Sequence, residues 1–174
     1  MNNRLTNEWT DTAGEAFGQR GIDGEEGEKV VAKYLVNDGA EVRTYPESHI
    51  AQVECKIDLA FRYPSYKKDR WITVDVKSQT SSLQDEIHPD TFRINYKRLV
   101  AAQENNTVDR WWHVNLLTGA MAYYDVAEMV GFLNRCLMLV NIEKYYDDLL
   151  VPKSVFIDYG FKYCINPSHF RRTR

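Results

Sequence analysis

Val53-Glu54-Cys55-Lys56-Ile57-Asp58-Leu59-Ala60-Phe61 and, after a polar loop, Trp71-Ile72-Thr73-Val74-Asp75-Val76-Lys77 are the stretches on which the fold turns. In the first, Val53, Cys55, Ile57 and Leu59 alternate with Glu54, Lys56 and Asp58, the period of a half-buried strand. In the second, Ile72, Val74 and Val76 alternate with Thr73, Asp75 and Lys77, in β-branched and aromatic company. Between them, Pro64, Ser65 and Lys67-Lys68-Asp69 mark a hairpin loop. The spacing predicts two antiparallel strands that set Asp58 beside Asp75, with Lys77 two residues on and on the same face.

Two carboxylates so placed, with the main-chain carbonyl of Val76 and water, make an oxygen set of the kind that holds Mg²⁺. A lysine beside them can orient a water and offset charge on a phosphoryl transition state. A phosphodiester is the substrate that calls for both. Upstream, Asp23 can cap a helix whose first turns carry Glu25, Glu26 and Glu28. Val31, Tyr34 and Leu35 recur at helical spacing, and Asn37-Asp38-Gly39 supplies a stop, so a helix is expected over 24–37. Each of the three glutamates can face the strand acids. Glu28 has the strongest claim, because Val31 and Leu35 follow at i+3 and i+7 and set it at the edge of the buried stripe.

The rest of the chain fits one domain. Residues 1–22 are polar, carry Gly14, Gly18 and Gly21, and read as a loosely held arm before a single domain over 23–174. A short strand is expected at Glu41 to Tyr45, a loop at 78–89, a short strand at 92–94 and a helix at 96–104. Arg110 to Leu117 and Ala120 to Tyr124 form a strand pair about Thr118-Gly119. Val126, Met129, Val130, Leu133 and Leu137 line one side of an apolar helix over 126–140. A further short helix is expected at 143–150, and a closing strand pair at 154–158 and 161–165. This order indicates an α/β domain with a central mixed β-sheet flanked by helices. Trp111 and Trp112 are adjacent, so a strand points them to opposite faces, one into the core and the other to core, interface or a stacked base.

With 174 residues the chain can build one substantial core. Its 44% hydrophobic and 27% charged residues are those of an ordinary soluble protein. A net charge of −3 argues against coating nucleic acid by bulk charge, and leaves room for a local basic groove. The three cysteines form no C-x-x-C pair, which disfavours a disulfide framework or a zinc site and fits a cytoplasmic setting. The N-terminus has no signal-like apolar run. The longest apolar stretch, 129–142, is broken by Asn134, Arg135 and Asn141, so no membrane partner is expected. The four histidines lack metal-binding spacing, and P-loop, dinucleotide and nucleophile-elbow motifs are absent.

Three segments carry a resemblance: residues 27–35 with Glu28, residues 57–61 with Asp58, and residues 74–79 with Asp75 and Lys77. A helix acid, a strand aspartate and a D-x-K on the next strand resemble the PD-(D/E)XK nuclease superfamily, of restriction endonuclease-like fold. The motifs span 24–79, and the likeness extends more loosely to a catalytic core of about 24–124. No proline precedes Asp58, and Asp75 stands where glutamate is more frequent. The resemblance implies a Mg²⁺-dependent DNA endonuclease, with Mn²⁺ able to substitute, leaving 5′-phosphate and 3′-hydroxyl ends. Asp58 would be the principal metal ligand, Asp75 the second acid, the Val76 carbonyl a further ligand, Glu28 the supporting helix acid and Lys77 the catalytic lysine. Gln79 would reach metal water or phosphate, and Arg93, Tyr96, Lys97 and Arg98 would lie near the substrate backbone. Lys67, Lys68 and Arg70, and Arg171, Arg172 and Arg174 in the tail, are either phosphate contacts or solvated charge. RNA stays open as a substrate. A homodimer, with helix 126–140 as its face, is compatible with the length. The rival reading is a nuclease fold that no longer cuts and serves as a nucleic-acid-binding or assembly module.

Overall fold

A computed structural model describes residues 24–45, 49–64, 70–79, 91–116, 118–136, 143–145 and 148–165. The expected arm at 1–22, the cap Asp23, the loop lysines 67 and 68 and the basic tail lie outside the described residues.

Helix α1 spans 24–37, as its periodicity requires, and buries Val30, Val31 and Leu35. Its stop is the expected one. Gly39 takes φ +88 and donates its N–H to the Val36 carbonyl, while Ala40 N–H reaches the Leu35 carbonyl. One helical position is set by close approach. A Cβ on Gly27 would lie 1.9 Å from Ser78 Oγ and 3.1 Å from its Cβ, so any side chain at residue 27 would have to displace the Ser78 hydroxyl for α1 to rest on the sheet as it does.

The chain continues through β1 (Glu41–Thr44), α2 (Ile50–Cys55), β2 (Leu59–Arg62) and β3 (Ile72–Gln79). It then forms β4 (Thr91–Asn95), α3 (Tyr96–Asn105), β5 (Arg110–Asn115), β6 (Ala120–Asp125) and α4 (Val126–Cys136). It closes with β7 (Glu143–Tyr145), β8 (Asp148–Pro152), α5 (Lys153–Asp158) and β9 (Lys162–Ile165). A six-stranded sheet runs β1-β2-β3-β5-β6-β9; β3 and β5 are parallel and every other neighbouring pair is antiparallel. The mixed sheet flanked by helices is therefore as expected. The parallel step has α3 in its crossover.

The sheet separates two apolar cores. One, with α1, holds Val31, Leu35, Phe61, Val74, Trp112 and Met121. The other, with α3, α4 and α5, holds Leu99, Trp111, Tyr124, Met129, Leu133 and Phe156. Both tryptophans are thus core, one on each side, and neither is available to stack a base. The stripe of α4 packs into its own domain, with Val126, Met129, Val130 and Leu133 buried; Leu137 lies outside the described residues.

Four expectations are corrected. The strand expected at 53–61 is two elements, helix α2 and the short strand β2. The His49 side chain accepts from Ala51 N–H at one end of α2, and Lys56 N–H donates to the Ala51 carbonyl at the other. A seven-residue alternation does not separate a capped helix from a strand; the pairing partner does, and the partner strands reach only Leu59–Arg62. The helix expected at 143–150 is the β7–β8 hairpin. Its Leu149, Leu150 and Val151 are buried in a strand that pairs with Thr91–Asn95, far away in sequence. That pairing makes a second sheet, β4-β8-β7, where a single one was expected. Finally, 154–158 is helical rather than extended. Pro152 opens α5, which lays Val155 and Phe156 into the core, so β9 pairs with β6 instead.

Candidate active site

β3 carries the centre. Val74, Val76 and Ser78 face α1, while Asp75 and Lys77 face the other layer beside Trp111 and His113, their partners in the parallel register. Antiparallel pairing of Leu59 with Val74 brings the residue before β2, Asp58, level with Asp75. Two main-chain bonds fix it there. Asp58 N–H donates to the Val74 carbonyl at 2.9 Å, and the Asp58 carbonyl accepts from Tyr45 N–H at 3.0 Å.

The Asp58 side chain then does what a longer β2 would have done: its Oδ2 accepts Val76 N–H at 2.6 Å. In an extended strand the N–H and C=O of one residue face the same neighbour. The Val76 carbonyl is therefore turned to the side where the Asp58 carboxylate lies. Asp75 is 5% exposed, and its Oδ1 accepts from Lys77 Nζ at 2.6 Å. The lysine ammonium lies 5.3 Å from the centre of the Trp111 ring, a second stabilising neighbour for its charge.

Electrostatics tie the group together. Burial and then the charge of Asp75 push the Asp58 carboxyl up to about 8. The Val76 hydrogen bond and Lys77 oppose that rise, and Glu28 adds to it. Among the α1 glutamates, Glu28 is thus the one whose charge acts on Asp58, while Glu25 pairs with Lys29 at 3.4 Å. Beneath the pair, His113 is buried, with Nε2 2.8 Å from the Tyr124 hydroxyl. Burial, then the charge of Lys77, lowers the imidazole to about 3, so it is neutral. Burial, then the charge of Asp75, raises the Tyr124 phenol well above its ordinary value. The floor of the site is neutral and of low dielectric.

Asp75 and Lys77 open into a cleft of about 460 Å³. Cys55 and Lys56 line it from the end of α2, Arg98, Ala101, Ala102 and Asn105 from α3. Asp58 and Glu28 are not among the lining residues. Of the expected substrate contacts, Arg98 lines the cleft. Arg93 instead bridges the second sheet, with Nη2 2.5 Å and Nε 3.1 Å from Asp148 Oδ2. The Tyr96 hydroxyl bonds to Asn134, and Lys97 is exposed outside the lining. Arg70 is engaged with Asp109. Gln79 closes β3 opposite Asn115; its side chain lies outside the described residues. Lys56, Trp111 and His113 had no sequence signal, because each enters through the end of α2 or the β3–β5 pairing.

Among the described residues no set of three or more His, Cys, Asp and Glu side chains is arranged around one point as metal ligands. The centre is a two-carboxylate set with a carbonyl, and one or two carboxylates suffice for Mg²⁺. The donor chemistry fits: the oxygens are hard and desolvated, and once Asp58 gives up its proton the two carboxylates carry more negative charge than Lys77 balances.

No family model matches the sequence, and no curated protein matches it. Solved structures similar to it include two nucleases. One is Hjc from Archaeoglobus fulgidus, a Holliday junction resolvase from an archaeal hyperthermophile. It is 10% identical with a TM-score of 0.42, over 75% of this chain and 87% of that one. The other is D212, a nuclease from a fusselovirus, 15% identical with a TM-score of 0.45, over 79% of this chain and 82% of that one. At this level of likeness neither name carries over to the chain.

Proposed function

We propose that this chain is a metal-dependent nuclease that hydrolyses phosphodiester bonds of DNA, with Mg²⁺ as the native ion and Mn²⁺ able to replace it. The observation that carries this reading is the buried juxtaposition of Asp58, Asp75 and the Val76 main chain, with Asp75 and Lys77 opening from it into a cleft. Asp58, Asp75 and the Val76 carbonyl would hold the cation, with Glu28 supporting from α1. The bound ion would supply Lewis-acid charge to the phosphate. Lys77 holds its ammonium at the mouth of the site, where it orients the attacking water and offsets charge on the pentacoordinate phosphorus. The neutral His113–Tyr124 floor keeps the surroundings dry, which strengthens both effects. The products are a 5′-phosphate and a 3′-hydroxyl.

The test is cleavage of supercoiled, linear and branched DNA, and of RNA, with Mg²⁺ or Mn²⁺. Wild type should cut DNA, and Asp75→Ala and Lys77→Ala should each lose at least about a hundredfold in rate. Inertness of wild type on every substrate would leave the binding-module reading, and equal cutting by the variants would remove these residues from the chemistry.

A further inference from the structure

Among the described residues, two that are not glycine have positive φ: Asn106 at +51 and Lys56 at +56. Asparagine tolerates the left-handed region because its short amide bonds locally. Lysine has no such excuse. At the C-cap of α2 a glycine would close the helix equally well, since the bond made there is by the main chain, from Lys56 N–H to the Ala51 carbonyl. An unfavourable backbone carrying a long cationic side chain is the kind of outlier that points from structure to function. The side chain lines the same cleft as Asp75 and Lys77.

The cleft has a second cation from a different element. Arg98, Ala101, Ala102 and Asn105 stand at i, i+3, i+4 and i+7 on one face of α3. Its two alanines keep that wall low, and Arg98 stands at its N-terminal end. The lining therefore holds three cations, Lys56, Lys77 and Arg98, against one carboxylate, Asp75, in a chain whose net charge is −3. Lys77 is committed to Asp75 at 2.6 Å. Lys56 and Arg98 stand on two different walls of the cleft, at the end of α2 and on α3, with Asp75 and Lys77 also in its lining.

We propose that Lys56 and Arg98 form a phosphate clamp, holding the backbone phosphates on either side of the one presented to Asp75 and Lys77. The rigid cap sets Lys56 two residues before Asp58, so the same turn that positions the acid positions the clamp. This rests on the nuclease reading; it adds Lys56 as a positioning residue and gives Arg98, already expected near the substrate backbone, a partner and a role.

The experiment is binding of a fluorescein-labelled DNA duplex, and of its single strand, to the full chain in Ca²⁺ across a salt series. Thermal melting of each variant is measured alongside. Lys56→Gly removes the charge and suits the left-handed backbone, so its melting temperature should be equal or higher. Its affinity should fall on the order of tenfold at low salt, with the slope of log K against log salt shallower by about 0.9 on the duplex and about 0.7 on the single strand. Lys56→Arg should keep affinity and slope, and Arg98→Gln should behave as Lys56→Gly does. If wild type binds and Lys56→Gly binds with the same affinity and slope, the clamp is refuted and the nuclease reading stands. If wild type binds neither DNA, both fall together.

Discussion

Asp58→Asn separates electrostatic cost from structural role at the centre. The wild-type carboxyl is pushed from 3.8 to about 8, by burial first and by Asp75 second. A raised folded-state value means that the native protein keeps a proton which the unfolded chain releases. Stability from this group is therefore complete below about pH 4, declines as pH rises and is lost by about pH 8. Taken at face value, each unit is about 1.4 kcal/mol, so the window from pH 5 to 8 spans up to about 4 kcal/mol. Asp58 sits among the charges of Asp75, Glu28 and Lys77, so a change of about 2 kcal/mol is the figure to expect. Asparagine keeps an oxygen for the 2.6 Å bond from Val76 N–H and cannot ionise. In chelator, the stability of Asp58→Asn relative to wild type should rise by about 2 kcal/mol between pH 5 and pH 8. Urea unfolding followed by the fluorescence of buried Trp111 and Trp112 reads this directly. Adding Mg²⁺ at pH 8 should then stabilise wild type and leave the variant unmoved. A wild-type-minus-variant difference that stays flat from pH 5 to 8 would refute the reasoning.

Three further outcomes follow from particular contacts. Gly27→Ala should cost about 1–3 kcal/mol by forcing a Cβ onto Ser78, and adding Ser78→Gly should restore most of it in a double-mutant cycle by denaturation. Asp109→Ala should cost about 2–3 kcal/mol, because its carboxylate accepts both the N–H and the hydroxyl of Thr73 and also holds Arg70; unchanged urea midpoints would contradict this. His113 should stay neutral by imidazole NMR from pH 7 down to pH 5, since its folded value lies near 3. Its contribution to stability is whole above about pH 6.5 and declines as pH falls toward 3, so a His113 resonance titrating near 6.5 in the native protein would be the contrary result.

Local pattern was enough for much of this molecule. The helix over 24–37, the β5–β6 hairpin, α3 and the stripe of α4 are each written in spacing and stop residues, because their stabilising contacts lie within one or two turns or one tight loop. The candidate acids on β3 were legible for the same reason: alternation over Ile72 to Lys77 sets Asp75 and Lys77 on one face whatever the strand pairs with. Asp58 reached its place beside Asp75 despite a misread strand, since the Leu59–Val74 register determines it, and the alternation upstream does not.

What local pattern left undetermined depends on partners distant in the chain. Glu143 to Leu150 contains both helix and strand formers, and only pairing of β8 with Thr91–Asn95 selects the strand. The choice of Glu28 over Glu25 depends on how α1 sits on the sheet, which the contact of Gly27 with Ser78 sets. Arg93 and Arg98 are five residues apart and both cationic, yet the first is held by Asp148 in the second sheet while the second lines the cleft. The sequence by itself thus determined which residues could do the chemistry and on which face of β3 they stand. The tertiary structure alone decided which side chains surround them, because burial, charge coupling and cleft shape arise between elements that no local period connects.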